Sequence, residues 1–77
     1  MPKLPILSGY EIIKYLERLG FEKLRQKGSH VSMKKETQYG SIGCVIPLHK
    51  EVARGTLKSI IKQAHLSDEE FIEETFK

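Results

Sequence analysis

Ile12, Ile13, Leu16 and Leu19 recur at intervals of three and four, the spacing of an amphipathic helix. Ser8 followed by Glu11 is a capping box, Leu7 and Ile12 are placed for the matching hydrophobic staple, and Gly20 suits the C′ position. The pattern predicts a helix from Gly9 to Leu19. From Phe21 the period shortens to two. "FEKLRQK" sets Phe21 and Leu24 among charges and reads as a strand; Gly28-Ser29 marks a turn. Val31 and Met33 then alternate with His30, Ser32 and Lys34. "KKETQYGS" reads as a polar hairpin tip. "IGCVIP" places Ile42, Cys44 and Ile46 on one face of a third strand, stopped by Pro47. Helical spacing returns in "GTLKSIIKQAHL", with Thr56 as the expected N-cap and Leu57, Ile60, Ile61 and Ala64 facing inward. Ser67 and Glu70 repeat the capping box ahead of a short helix carrying Phe71 and Ile72, with Phe76 as a further apolar candidate.

The elements therefore run α-β-β-β-α with a short C-terminal helix, in one expected domain over residues 1–77. This is an α+β class: a three-stranded antiparallel meander with helices on one face, the architecture of a double-stranded RNA-binding domain. A chain of this size hides only about 60% of its unfolded surface, so one hydrophobic cluster leaves no room for a deep substrate cavity. Chemistry on such a frame belongs at a surface, on a substrate that brings much of the contact area itself.

Charge narrows the partner. Residues 1–66 hold twelve Lys/Arg against five Asp/Glu, a balance of +7, while residues 67–77 hold five acids against Lys77, a balance of −4. A basic body favours a polyanion. Lys58 and Lys62 stand four apart on the second long helix with no acid placed along it to pair with them. Like charges at that spacing repel mildly, so a phosphate backbone is the natural neighbour. Arg54, Lys23, Arg25, Lys27, Lys34 and Lys35 extend the candidate RNA-facing set. Cys44, the only cysteine, excludes an intrachain disulfide and a cysteine-based zinc site, and reads as a buried inert thiol. No segment resembles a signal peptide or is long enough to span a bilayer, which suggests a soluble cytoplasmic protein that does not engage membranes.

Among the histidines, His65 ends a helix, where a cation suits the dipole, and His49 follows Pro47 in a loop. Neither has a metal-ligand neighbour at useful spacing. His30 is set apart. It follows Gly28 and Ser29, begins a strand, and projects opposite Val31 and Met33 towards solvent, with Lys27 and Lys34 nearby. An imidazole there can take a proton from a ribose 2′-OH or give one to a leaving 5′-oxygen, and ammonium groups can offset charge on the transition state. Those are the parts of a metal-free ribonuclease needing no cofactor. Gly28 offers close backbone approach or a turn conformation, and Ser29 a small hydroxyl. Read from residues alone, a non-catalytic double-stranded RNA-binding module and a protein-interaction domain with a basic face also remain open.

The runs "LPILSGYEIIKYLERLGFEKLRQKGSH", "VIPLHKEVARGTLKSIIKQA" and "HLSDEEF", with their G-S-H and G-T-L-x-x-I-x-K-Q-A motifs, resemble the HicA family of toxin ribonucleases from bacterial type II toxin–antitoxin systems. The resemblance implies ribosome-independent cleavage of messenger RNA with one catalytic histidine, His30. It also implies inhibition by a HicB-type antitoxin. A single imidazole supplies a base or an acid but not both, which leaves His49, a lysine or solvent for the second proton.

Overall fold

The computed structural model describes residues 3–77. The elements are α1 (Gly9–Arg18), β1 (Glu22–Lys27), β2 (His30–Thr37), β3 (Gly40–Pro47), α2 (Arg54–Gln63) and α3 (Asp68–Thr75). This is the expected α-β-β-β-α order with a third short helix.

Helix α1 starts where its capping box places it. Ser8 Oγ accepts the Glu11 N–H at 3.1 Å, and Glu11 Oε1 accepts the Ser8 N–H at 2.9 Å. That backbone bond holds the Glu11 carboxyl below its usual range. The helix closes on Gly20, at φ +100°, whose N–H donates to Glu17 O at 3.1 Å while Phe21 N–H donates to Leu16 O at 3.0 Å. This Schellman arrangement needs a left-handed residue, which glycine supplies without a Cβ clash.

Helix α2 begins earlier than expected. Val52 N–H donates to Leu7 O at 2.8 Å, pinning the connecting segment, and the helix starts at Arg54 with Ala53 as its N-cap. Thr56 thus lies inside the first turn, and no side chain caps this helix. Its far end carries another Schellman pair, Leu66 N–H to Ile61 O and His65 N–H to Lys62 O, both at 3.1 Å. His65 takes the left-handed position at φ +57°, so it caps through its backbone. Ser67 and Glu70 cap α3 reciprocally, as expected. Phe71 is buried and meets the Tyr15 ring edge-on at 5.9 Å. Phe76 is 83% exposed: it is the C-cap residue, beyond the last helical position, and does not join the core.

The sheet has order β1-β2-β3, with both pairings antiparallel. The β2–β3 tip is tighter than "KKETQYGS" suggested, because the strands pair out to Thr37 opposite Gly40. Thr37 Oγ1 donates to Gly40 O at 2.7 Å and accepts the Tyr39 N–H at 3.1 Å, which closes the turn locally. Val31 and Met33 of β2 and Cys44 and Ile46 of β3 turn inward. They join Ile12, Leu16, Leu57, Ile60 and Ile61 of the helices in one apolar cluster. Each such side chain contributes on the order of 1.5–3 kcal/mol when fully buried. Burial pushes the Cys44 thiol up to about 11, so it stays protonated at neutral pH. The helices cover one face of the sheet and leave the other open.

Candidate active site

Strand alternation decides what the open face carries. Residues opposite one another in an antiparallel pair share a face. His30 sits between Lys27 on β1 and Pro47 on β3, and Ser32 sits between Arg25 and Val45. Lys34 sits between Glu22 and Gly43, and Glu36 opposite Ser41. His30, Arg25 and Lys27 are all exposed, and they form a basic corner at the end of the sheet where the β1–β2 turn lies. Gly28 adopts φ +59° there, with open space around its Cα, so the turn conformation rather than a close approach requires the glycine. Gln26 Nε2 closes the turn by donating to Gly28 O at 2.9 Å.

The other end of the same face is different. Lys34 Nζ lies 2.8 Å from Glu36 Oε1, and Ser41 Oγ donates to both Glu36 oxygens at 2.9 and 3.0 Å. The hydrogen bond to Glu36 holds Lys34 above its ordinary range. The bonds from Lys34 and Ser41 hold Glu36 below its own. Lys34 is therefore paired with an acid, whereas Arg25 and Lys27 make no salt bridge among the described residues.

The remaining candidates are dispersed. Lys23 pairs with Met33 and Lys35 with Ile42, which puts both on the helix side of the sheet. Lys35 lies over the Phe21 ring at 5.8 Å. Arg54 Nε donates to Leu4 O at 2.9 Å, tying down the segment ahead of α1. Lys58, expected to have no acid along its helix, finds one on the next: its Nζ lies 3.2 Å from Asp68 Oδ2 at the start of α3. The earlier start of α2 also moves Lys58 out of the first turn, where the dipole would oppose it. Lys62 is exposed. The basic residues thus split between the open sheet face and the helical layer instead of forming one patch.

The segment that carries His49 is fixed by backbone bonds. Leu48 N–H donates to Ser29 O at 2.7 Å, so the segment after β3 lies along the β1–β2 turn. Gly9 N–H in turn donates to His49 O at 2.9 Å. A Cβ on Gly9 would stand 2.1 Å from Pro47 O, so only glycine lets α1 approach this segment. Both His30 and His49 are exposed. Two apolar residues not among the candidates for the site also reach the open face: Leu24, 58% exposed at a β1 bulge, and Val45, 45% exposed. The signal for Val45 was its parity, opposite to that of Ile42, Cys44 and Ile46.

Among the described residues, no group of three or more His, Cys, Asp or Glu side chains is placed to hold a metal ion. No helix among them is long and apolar enough to cross a membrane. A comparison with curated proteins finds no match. The family model described as "HicA toxin of bacterial toxin-antitoxin" matches residues 9–66, from the first residue of α1 to the end of the turn that closes α2. The span includes His30, His49 and every element of the sheet, and the chain belongs to the HicA family of toxins of bacterial toxin–antitoxin systems.

Proposed function

We propose that this toxin is a ribosome-independent endoribonuclease that cleaves messenger RNA with His30 as its catalytic residue. The observation that carries the reading is the basic corner, where an exposed imidazole lies next to Lys27 across the strand pair, with Arg25 on the same face. In the proposed reaction the 2′-oxygen loses its proton to an imidazole and bonds to phosphorus. The bond from phosphorus to the 5′-oxygen breaks, and that oxygen takes up a proton. The products are a 2′,3′-cyclic phosphate and a 5′-hydroxyl. Lys27 and Arg25 offset the charge that builds on the phosphoryl oxygens. His49 is the candidate for the second proton transfer, since the Leu48–Ser29 bond lays its segment against the turn that presents His30.

Membership in a toxin–antitoxin family implies an antitoxin partner. We propose that it is of the HicB type and covers the open face. A standard interface buries about 800 Å² on each partner. On a molecule whose principal extents are 31 × 30 × 21 Å, that is much of one face, so inhibition is steric.

Induced expression of wild type and His30→Ala at matched protein levels tests the reading. Growth arrest and loss of full-length messenger RNA are expected with wild type alone. If both variants arrest growth while RNA stays intact, the catalytic assignment fails and a non-catalytic RNA-binding module takes its place. The two histidines are separated chemically by an RNA carrying a bridging 5′-sulfur at the cleaved bond. A thiolate leaves without a proton, so this substrate restores the rate of whichever variant, His30→Ala or His49→Ala, has lost the general acid.

A further inference from the structure

A depression of about 270 Å³ lies on the open face beside the catalytic corner. Leu24, at the β1 bulge, and Val45 of β3 supply apolar side chains to it, on either side of Ser32 in the central strand. Gly43 adds no side chain on this face, and Lys34 and Gln63 are among the other lining residues. Gln63 reaches it from the end of α2 because its Oε1 accepts the Val45 N–H at the sheet edge, at 3.4 Å. Among the described residues the Gln63 amide nitrogen and the Ser32 hydroxyl make no hydrogen bond, so both are free to meet a ligand.

The chemistry selects a neutral, flat occupant. Lys34 is answered by Glu36 at 2.8 Å and faces Glu22 across the β1 pairing, so a phosphate gains little there. Of the cations without a salt bridge, Lys27 lies beside His30, and Arg25 stands opposite Ser32 but does not line the depression. The volume is below the ~300–1,000 Å³ of pockets for drug-sized ligands, which suits a single small ring system. Ser32 is two residues from His30 on the same face, roughly 7 Å along the strand, a separation comparable to one nucleotide step. We propose that this depression holds the unpaired base of a nucleotide adjoining the cleaved phosphate. Leu24 and Val45 then sandwich its ring, and Ser32 and Gln63 read its polar edge, so these four residues set the cleavage-site preference. The proposal rests on the ribonuclease reading for its meaning, but its binding step does not require turnover.

The test uses the full chain carrying His30→Ala, titrated with each of the four ribonucleoside 5′-monophosphates and, separately, with inorganic phosphate, followed by amide NMR shifts. Nucleotides are expected to move the amides of Ser32, Gly43 and Val45, with phosphate leaving these three in place. Identical shifts from phosphate, or none from any nucleotide, would overturn the proposal. In parallel, Leu24→Ser, Val45→Thr and Gln63→Ala are compared with wild type by mapping cleavage sites on one long RNA. Leu24 and Val45 are exposed enough to change without emptying the core. A change of about tenfold in the ratio of preferred to minor sites is expected, the scale set by one altered contact in a pocket. An unchanged site map in all three variants would sink the subsite while leaving the ribonuclease intact. Nucleotide binding at Ser32 and Val45 by a protein that cleaves no RNA would do the reverse.

Discussion

The two faces of the sheet are made by the same strands, residue by residue, and they have opposite requirements. On the helix side, Val31, Met33, Cys44 and Ile46 are each no more than 3% exposed and fill the core. On the open side, the intervening positions hold His30, Ser32, Lys34 and Val45, with Arg25 and Lys27 beside them. Side-chain volume decides what is tolerated on the first face, whereas charge and hydrogen-bonding capacity decide on the second. Substitutions should therefore separate cleanly into those that unfold the protein and those that disarm it.

The strongest break on the buried side is Ile46→Ala. It should lose about 2–5 kcal/mol of stability by denaturant titration, from lost transfer energy and the cavity left behind. An exposed neighbour, Val45→Thr, should stay within about 0.5 kcal/mol of wild type in the same titration. Gly9→Ala comes next. Its Cβ would overlap Pro47 O, so α1 must shift, at a cost of about 1–3 kcal/mol, and the His49 segment shifts with it. Lower Tm together with reduced RNA cleavage is the expected signature, since this position serves both the core and the site. Ser8→Ala should cost about 1 kcal/mol by removing the α1 cap and leave cleavage per folded molecule unchanged. Asp68→Asn should cost less than about 1 kcal/mol, being a pair at the surface, and it frees Lys58. If α2 contacts RNA, affinity rises in this variant; unchanged affinity at low salt would confine RNA to the open face.

Cys44 gives a pH signature. Its folded thiol titrates at about 11 against an ordinary 9.0. Above pH 9 the unfolded chain therefore releases a proton that the folded chain retains, and stability falls as pH rises towards 11. Cys44→Ala should flatten that slope. Native protein at pH 8 should also resist a thiol reagent that labels the unfolded chain at once.

Local signals carried the fold a long way. Both capping boxes, the Gly20 terminus and the alternation of Ile42, Cys44 and Ile46 act within a few residues, and each is visible in the sequence. The errors arose where a distant partner intervened. The α2 start was displaced from Thr56 by the bridge between Leu7 and Val52, 45 residues apart in number. Lys58 looked unpaired because its acid sits on another helix, and Phe76 looked apolar enough for a core that ends before it. For the site, alternation alone placed His30 on the solvent side. It did not reveal that Lys23 and Lys35 lie on the opposite face from Lys27 and Lys34, because that depends on the register across the β1 bulge and on where β2 ends. The docking of the His49 segment on the β1–β2 turn was hidden for a related reason, as it depends on a backbone bond from Leu48 to Ser29.

The most direct measurement is the initial rate of cleavage of one defined RNA by purified wild type and His30→Ala, with Tm recorded for both. The account predicts a loss of about 10²–10⁴ in rate, the usual contribution of a positioned acid or base, with Tm essentially unchanged. Equal rates at equal Tm would contradict it.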